Sequence, residues 1–101
     1  MILYNVTCLV EDAIREEWLT WMKEVHLPEV MATGKFISSK MFIIDPHSGE
    51  DTGTSYSIQY TLENRSQLEA YATNDGLALK AKTVARYGAK VVAFRTILEE
   101  V

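Results

Sequence analysis

Apolar and polar positions alternate over residues 2–10, with Ile2, Tyr4, Val6, Cys8 and Val10 on one face and Leu3, Asn5, Thr7 and Leu9 on the other. This period of two predicts a β-strand. From Asp12 the period lengthens: Ile14, Trp18, Trp21, Met22 and Val25 recur at three- and four-residue steps among charged neighbours, which predicts an amphipathic helix. Glu11, Asp12, Glu16 and Glu17 crowd its start, where the helix dipole favours them, with Asp12 as the N-cap. Pro28 disturbs the helix after His26, and Gly34 is a left-handed stop. Residues 35–45 predict a second strand. Turn-forming residues over 46–53, His47 among them, predict a solvated hairpin loop. Residues 54–62 alternate again, Tyr56, Ile58, Tyr60 and Leu62 against Ser55, Ser57, Gln59 and Thr61, as a third strand. Ser66-Gln67-Leu68-Glu69 fits a capping box that opens a second helix. Asn74-Asp75-Gly76 breaks or kinks that helix before a second segment closing at Gly88, and residues 90–98 form the last strand.

The resulting order is strand, helix, strand, strand, helix, strand, in two halves that echo each other. Right-handed crossovers then predict an α+β ferredoxin-like sandwich spanning residues 1–101, with an antiparallel sheet ordered 4-1-3-2 and both helices on one face. A chain of 101 residues can bury one core, not two. The helix-covered face collects Tyr4, Val6, Cys8, Tyr56, Ile58, Tyr60 and Phe94 beneath Trp18, Trp21 and Met22. The opposite face carries Leu3, Leu9, Ile37, Met41, Ile43, Val91, Ala93 and Ile97 around a polar middle of Asn5, Thr7, Ser57, Gln59 and Arg95. An apolar patch of that extent calls for a cover, and a second copy of the same sheet across a two-fold axis is the economical one.

Charge narrows the function. The net charge of −4 and the scattered cations argue against nucleic acid. The longest strictly apolar run, 41–44, falls far short of the roughly 20 residues a membrane helix needs. A single cysteine, Cys8, forbids an internal disulfide and fits a cytoplasmic location. No phosphate loop, nucleophile elbow or metal-ligand spacing is present in the sequence, so neither a cofactor nor a metal is expected.

Tyr4-Asn5-Val6-Thr7, the run from Trp18 to Gly34, Gln59-Tyr60 and Phe94-Arg95-Thr96 resemble a small uncharacterised bacterial family, a domain of unknown function within the dimeric α/β-barrel superfamily. The resemblance implies a homodimer and supplies no catalytic residues to transfer. Superfamily members include cofactor-independent monooxygenases of aromatic polyketides, polyketide cyclases, muconolactone isomerases, haem-handling proteins and stress proteins, so the fold does not choose an activity.

Three sets of residues carry candidate chemistry. His26 is a helix-terminal histidine that caps free carbonyls or, paired with Tyr60 or Tyr56, acts as an acid/base couple beside an aromatic cavity. Trp18, Trp21, Tyr4, Tyr56 and Met22 are core, or else line a site for a flat aromatic or polyketide-like molecule. Arg95 clamps a substrate carboxylate or, as the preferred reading, joins Asn5, Thr7, Ser57 and Gln59 in a dimer interface with Met41 and Ile43. The functional expectations are therefore a homodimer that binds a small molecule, a cofactor-independent enzyme, or a dimerisation module without ligand.

Overall fold

The computed structural model describes residues 1–45 and 53–101. Strands β1 (Ile2–Glu11), β2 (Ser38–Ile43), β3 (Gly53–Leu62) and β4 (Val91–Glu99) form one antiparallel sheet ordered β2-β3-β1-β4, the ferredoxin-like order. The two strands with the cleanest alternation are the central ones. β1 and β3 pair from Ile2↔Leu62 to Glu11↔Gly53, and β4 lies along the other side of β1 from Ile2↔Glu99 to Val10↔Val91. Apart from Gly53, the hairpin loop with His47 lies outside the described residues.

Pairing decides which side chains share a face. Tyr4 lies opposite Tyr60 and Cys8 opposite Tyr56, so the even-numbered residues of β1 and β3 face the helices as the alternation predicts. The edge strands are in the opposite phase to the sequence reading. Val6 pairs with Arg95 and Thr7 with Phe94, which puts Val91, Ala93, Arg95 and Ile97 on the helix side and Phe94 on the free face. In β2, Met41 pairs with Ile58 and Ile43 with Tyr56, so both belong to the helix side and Phe42 to the free one. The physical reason is that both edge strands carry consecutive apolar residues; their phase is set by hydrogen bonding to a neighbour rather than by their own pattern.

Each crossover is an interrupted helix. The first begins with a 3₁₀ turn (Asp12–Ile14), continues as α1 (Arg15–Trp21), widens into a π turn (Met22–His26) and ends as α2 (Leu27–Ala32). Pro28 does not end it. The Leu27 N–H bonds to the Met22 carbonyl, a five-residue step that shifts the ladder just before the residue lacking an N–H. The helix stops at Gly34, whose φ of 75° suits glycine. Asp12 does not cap α1; its carboxylate accepts a hydrogen bond from Thr54 Oγ1 at 2.9 Å and ties the turn to β3.

The second crossover repeats this plan as α3 (Arg65–Tyr71), a π turn (Ala72–Gly76) and α4 (Leu77–Tyr87). Its cap is Asn64, not Ser66. Asn64 Oδ1 accepts from the Gln67 N–H at 3.1 Å and from Ser66 Oγ at 2.6 Å, because the helix starts two residues earlier than the capping-box pattern places it. Gly88 closes it with φ of 55°.

Trp18, Val10, Val30, Ile58 and Leu62 are fully buried between helices and sheet. Interhelical ion pairs Lys82–Glu29 (2.6 Å) and Arg86–Glu17 (3.1 Å) are exposed and are each worth at most about 1 kcal/mol, so apolar burial holds the layers together. Among the described residues no helix is long and apolar enough to cross a membrane. The cap assignment predicts that Asn64→Ala lowers unfolding free energy by about 1 kcal/mol and Ser66→Ala by less, measured by urea titration; the reverse ranking returns the cap to Ser66.

Candidate ligand cavity

A cavity of about 500 Å³ lies between the helices and the sheet, within the range of small-molecule sites. The sheet contributes Tyr4, Val6 and Cys8 from β1, Ile58 and Tyr60 from β3, and Val91, Ala93 and Arg95 from β4. The first helical crossover supplies Trp18, Met22 and His26, and the second Tyr71, Ala72, Gly76, Leu77 and Lys80. Both π turns therefore give residues to the wall. A wide turn redirects a helix locally and recurs at functional sites for that reason.

One end of the cavity is an aromatic cluster. The Tyr4 ring lies 6.0 Å from Tyr60 and 6.1 Å from Tyr71, with Phe36 packed at 4.9 Å from Tyr60 and 4.7 Å from Tyr71. Gly76 makes room for it: a Cβ there would sit 3.0 Å from Cε2 of Tyr71. Burial pushes the Tyr60 hydroxyl well above the ordinary tyrosine range and Tyr71 to about 12, with the neighbouring Tyr4 hydroxyl raising both. Burial likewise raises the Cys8 thiol to about 11, against a lowering pull from Arg95. All three are neutral and protonated at pH 7, so the tyrosines can act as hydrogen-bond donors.

His26 stands in the opposite regime. Burial holds its pKa below 6.5, outweighing the Glu29 carboxylate and joined by the Arg95 and Lys82 cations, so the imidazole is neutral at pH 7. Its ring stacks on Trp21 at 5.0 Å; its buried Nδ1, like the buried Trp18 Nε1, has no hydrogen-bond partner among the described residues.

The sequence-predicted site residues separate into four groups. His26, Tyr60, Tyr4, Trp18 and Met22 come together on the cavity wall. Trp21 and Tyr56 stay in the core: Trp21 is held between His26 and Tyr87, and the Tyr56 hydroxyl accepts a 2.5 Å hydrogen bond from Arg15 Nε, not from His26. Asn5, Thr7, Ser57 and Gln59 form a hydrogen-bonded chain on the free face, with Ser57 Oγ donating to Asn5 Oδ1 at 2.5 Å, Asn5 Nδ2 to Thr7 Oγ1 at 3.1 Å and Gln59 Nε2 to Ser57 Oγ at 3.4 Å. Arg95, Met41 and Ile43 do not join them, because the register carries all three to the helix side. Met41 packs on the core. Tyr71 and Lys80 are cavity residues the sequence pattern did not single out; Tyr71 follows Leu68 by three residues, the one spacing that could have marked it as inward-facing. Among the described residues no three His, Cys, Asp or Glu side chains gather as a metal site.

Two outcomes follow from this electrostatic arrangement. At about pH 8, Cys8 should react with a disulfide reagent about 100-fold more slowly than an ordinary exposed cysteine, and at the ordinary rate once urea unfolds the chain. For His26, the unfolded state binds the proton more readily than the folded one. Its contribution to stability is thus present above 6.5 and lost as the pH falls through the lower folded-state value. Thermal melts should show this decline, and His26→Gln should flatten it.

Solved structures share this fold at low identity. An ethyl tert-butyl ether D (EthD) family protein of Bacillus halodurans is 18% identical, with a TM-score of 0.68 over 100% of both chains. HapK of Hahella chejuensis is 11% identical, with a TM-score of 0.72 over 100% of this chain and 93% of its own. A dimeric ferredoxin-like protein from an uncultured marine organism is 13% identical, with a TM-score of 0.70 over 99% and 97%. Such identities establish likeness of fold alone. No protein of curated function matches significantly. The model of a domain of unknown function, DUF4286, matches residues 1–101, and the chain belongs to that family.

Proposed function

We propose that this protein is a homodimer that binds a small aromatic or polyketide-like molecule in the cavity between helices and sheet. The observation that carries the reading is the cavity itself: it is large enough for two or three fused rings, walled by Tyr4, Trp18, Tyr60 and Tyr71, and supplied with polar groups at its edge. A side-chain set of this kind in a solid core would leave no such volume. The test is titration of the protein with 2-naphthol, followed through tryptophan fluorescence. Saturable quenching is expected, and Ala93→Trp, which fills the cavity from β4, should abolish it. Undiminished binding by that variant places the site elsewhere, and no binding at all returns the protein to a dimerisation module without ligand.

Dimerisation is supported by the free sheet face, where Phe94 (61% exposed), Val92 (57%), Phe42 (47%) and Leu98 (44%) surround the Asn5–Ser57–Gln59 chain. Such a patch is unusual on a monomer, and one of the fold neighbours is described as dimeric. Phe94→Asp should convert a dimer of 11.4 kDa chains to monomers in sedimentation equilibrium while leaving the far-ultraviolet spectrum unchanged. A wild-type monomer removes the dimer reading.

A second reading makes the cavity catalytic. It is favoured by one arrangement: His26, neutral at pH 7, and Tyr60, protonated at pH 7, line the same space, as a base and an acid for moving a proton α to a carbonyl would. Exchange of the acetophenone methyl protons into D₂O, followed by NMR, should be accelerated by the protein and lost in His26→Ala. Acceleration that survives that substitution ends this reading.

A further inference from the structure

We infer that the cavity selects an anionic aromatic ligand, an arene carboxylate or enolate, and that Arg95 recognises its charge. This rests on the cavity being a ligand site.

Acidic residues outnumber basic ones in this chain, 14 to 10, yet among the described residues no Asp or Glu lines the cavity, while Arg95 and Lys80 do. The two carboxylates whose fields reach the wall, Glu29 at His26 and Asp75 at Tyr71, are each turned to a lysine outside it, Lys82 at 2.6 Å and Lys35 at 4.0 Å. Arg95 itself makes no ion pair or side-chain hydrogen bond among the described residues. Its side chain nevertheless lines the cavity, and its charge reaches groups from β1, β3 and both helical crossovers: Cys8, Tyr60, His26 and Tyr71.

The register explains how it arrives there. Arg95 pairs with Val6 between Tyr4 and Cys8, so its side chain leaves the sheet on the cavity side, on the strand opposite the tyrosines of β3. A guanidinium presents donors in a planar fork that fits a carboxylate, and a phenol that stays protonated adds a donor without adding charge. The flat rings of the cluster then hold the hydrocarbon part. A neutral aromatic compound would use the rings and leave the fork unanswered.

The test compares 2-naphthoate with 2-naphthamide, matched in shape and differing in charge, by calorimetric titration at low salt. The naphthoate should bind at least about 10-fold more tightly, and the advantage should shrink as salt is raised. Arg95→Gln should bring the two affinities together, whereas Arg95→Lys retains part of the difference. Equal affinities in the wild-type protein overturn the inference while leaving the cavity a ligand site. A preference that survives Arg95→Gln and vanishes in Lys80→Gln overturns the role of Arg95. Binding of neither compound at about 1 mM, together with no quenching by 2-naphthol, overturns the ligand-site reading and this inference with it. Should Arg95→Gln fail to fold, as judged by its melting curve, the wild-type ratio and its salt dependence decide the matter alone.

Discussion

The double pairing of β1 is the constraint on which the rest depends. Its ten residues pair with β3 on one side and the first nine of them with β4 on the other, so its register is fixed twice over. In a sheet with one covered face a slip of one residue exchanges the faces completely. Here it would carry Asn5 and Thr7 beneath Trp18 and take Tyr4 and Cys8 off the cavity wall. The same register brings Tyr60 beside Tyr4 and Arg95 beside Val6, so a site drawn from three strands is set by backbone hydrogen bonds rather than by contacts among the site residues themselves.

What the sequence discloses follows from where its pattern is one-sided. β1 and β3 alternate an apolar or aromatic residue with a polar one, so their faces, the strand order and the helical crossovers are all readable from residues 2–10 and 54–62. In β4 the run Val91-Val92-Ala93-Phe94 is apolar on both faces, and nothing local says that Phe94 turns away from the helices and Arg95 toward them. Met41-Phe42-Ile43 in β2 is ambiguous in the same way. The candidate site was accordingly half legible. Its members on the central strands and the first helix can be named from the pattern, but the two-sided pattern of β4 does not fix the face of Arg95, and Tyr71 is hidden in a helix whose strongest local signal is the Asn74-Asp75-Gly76 interruption just beyond it.

The two sheet faces then settle into different roles by composition. The helix side combines large rings with hydroxyls and, among the described residues, leaves Trp18 Nε1 and His26 Nδ1 without protein partners. The free side links its polar groups to one another, Asn5 to Thr7 and Ser57, and Ser57 to Gln59, inside a ring of exposed apolar residues. A network that satisfies its own donors and acceptors can be buried against another surface at little cost, because desolvation does not orphan them. Unshared hydroxyls and a guanidinium without a counter-ion are suited to a ligand that brings its own acceptors.

The π turns connect these roles to the fold. Each follows a seven-residue helix and is five residues long, Met22–His26 in the first crossover and Ala72–Gly76 in the second. Their local causes differ: the first precedes Pro28, whose missing N–H disrupts an α ladder, whereas the second contains Asn74-Asp75-Gly76, all poor helix formers, with a glycine admitting the Tyr71 ring. Two unrelated sequences reaching the same distortion at the same topological position point to a requirement of the assembled layer rather than a local accident. A regular α ladder would advance each helix evenly over the sheet. The wider turn breaks that regularity where Met22 and His26 from one half and Ala72 and Gly76 from the other line the same cavity.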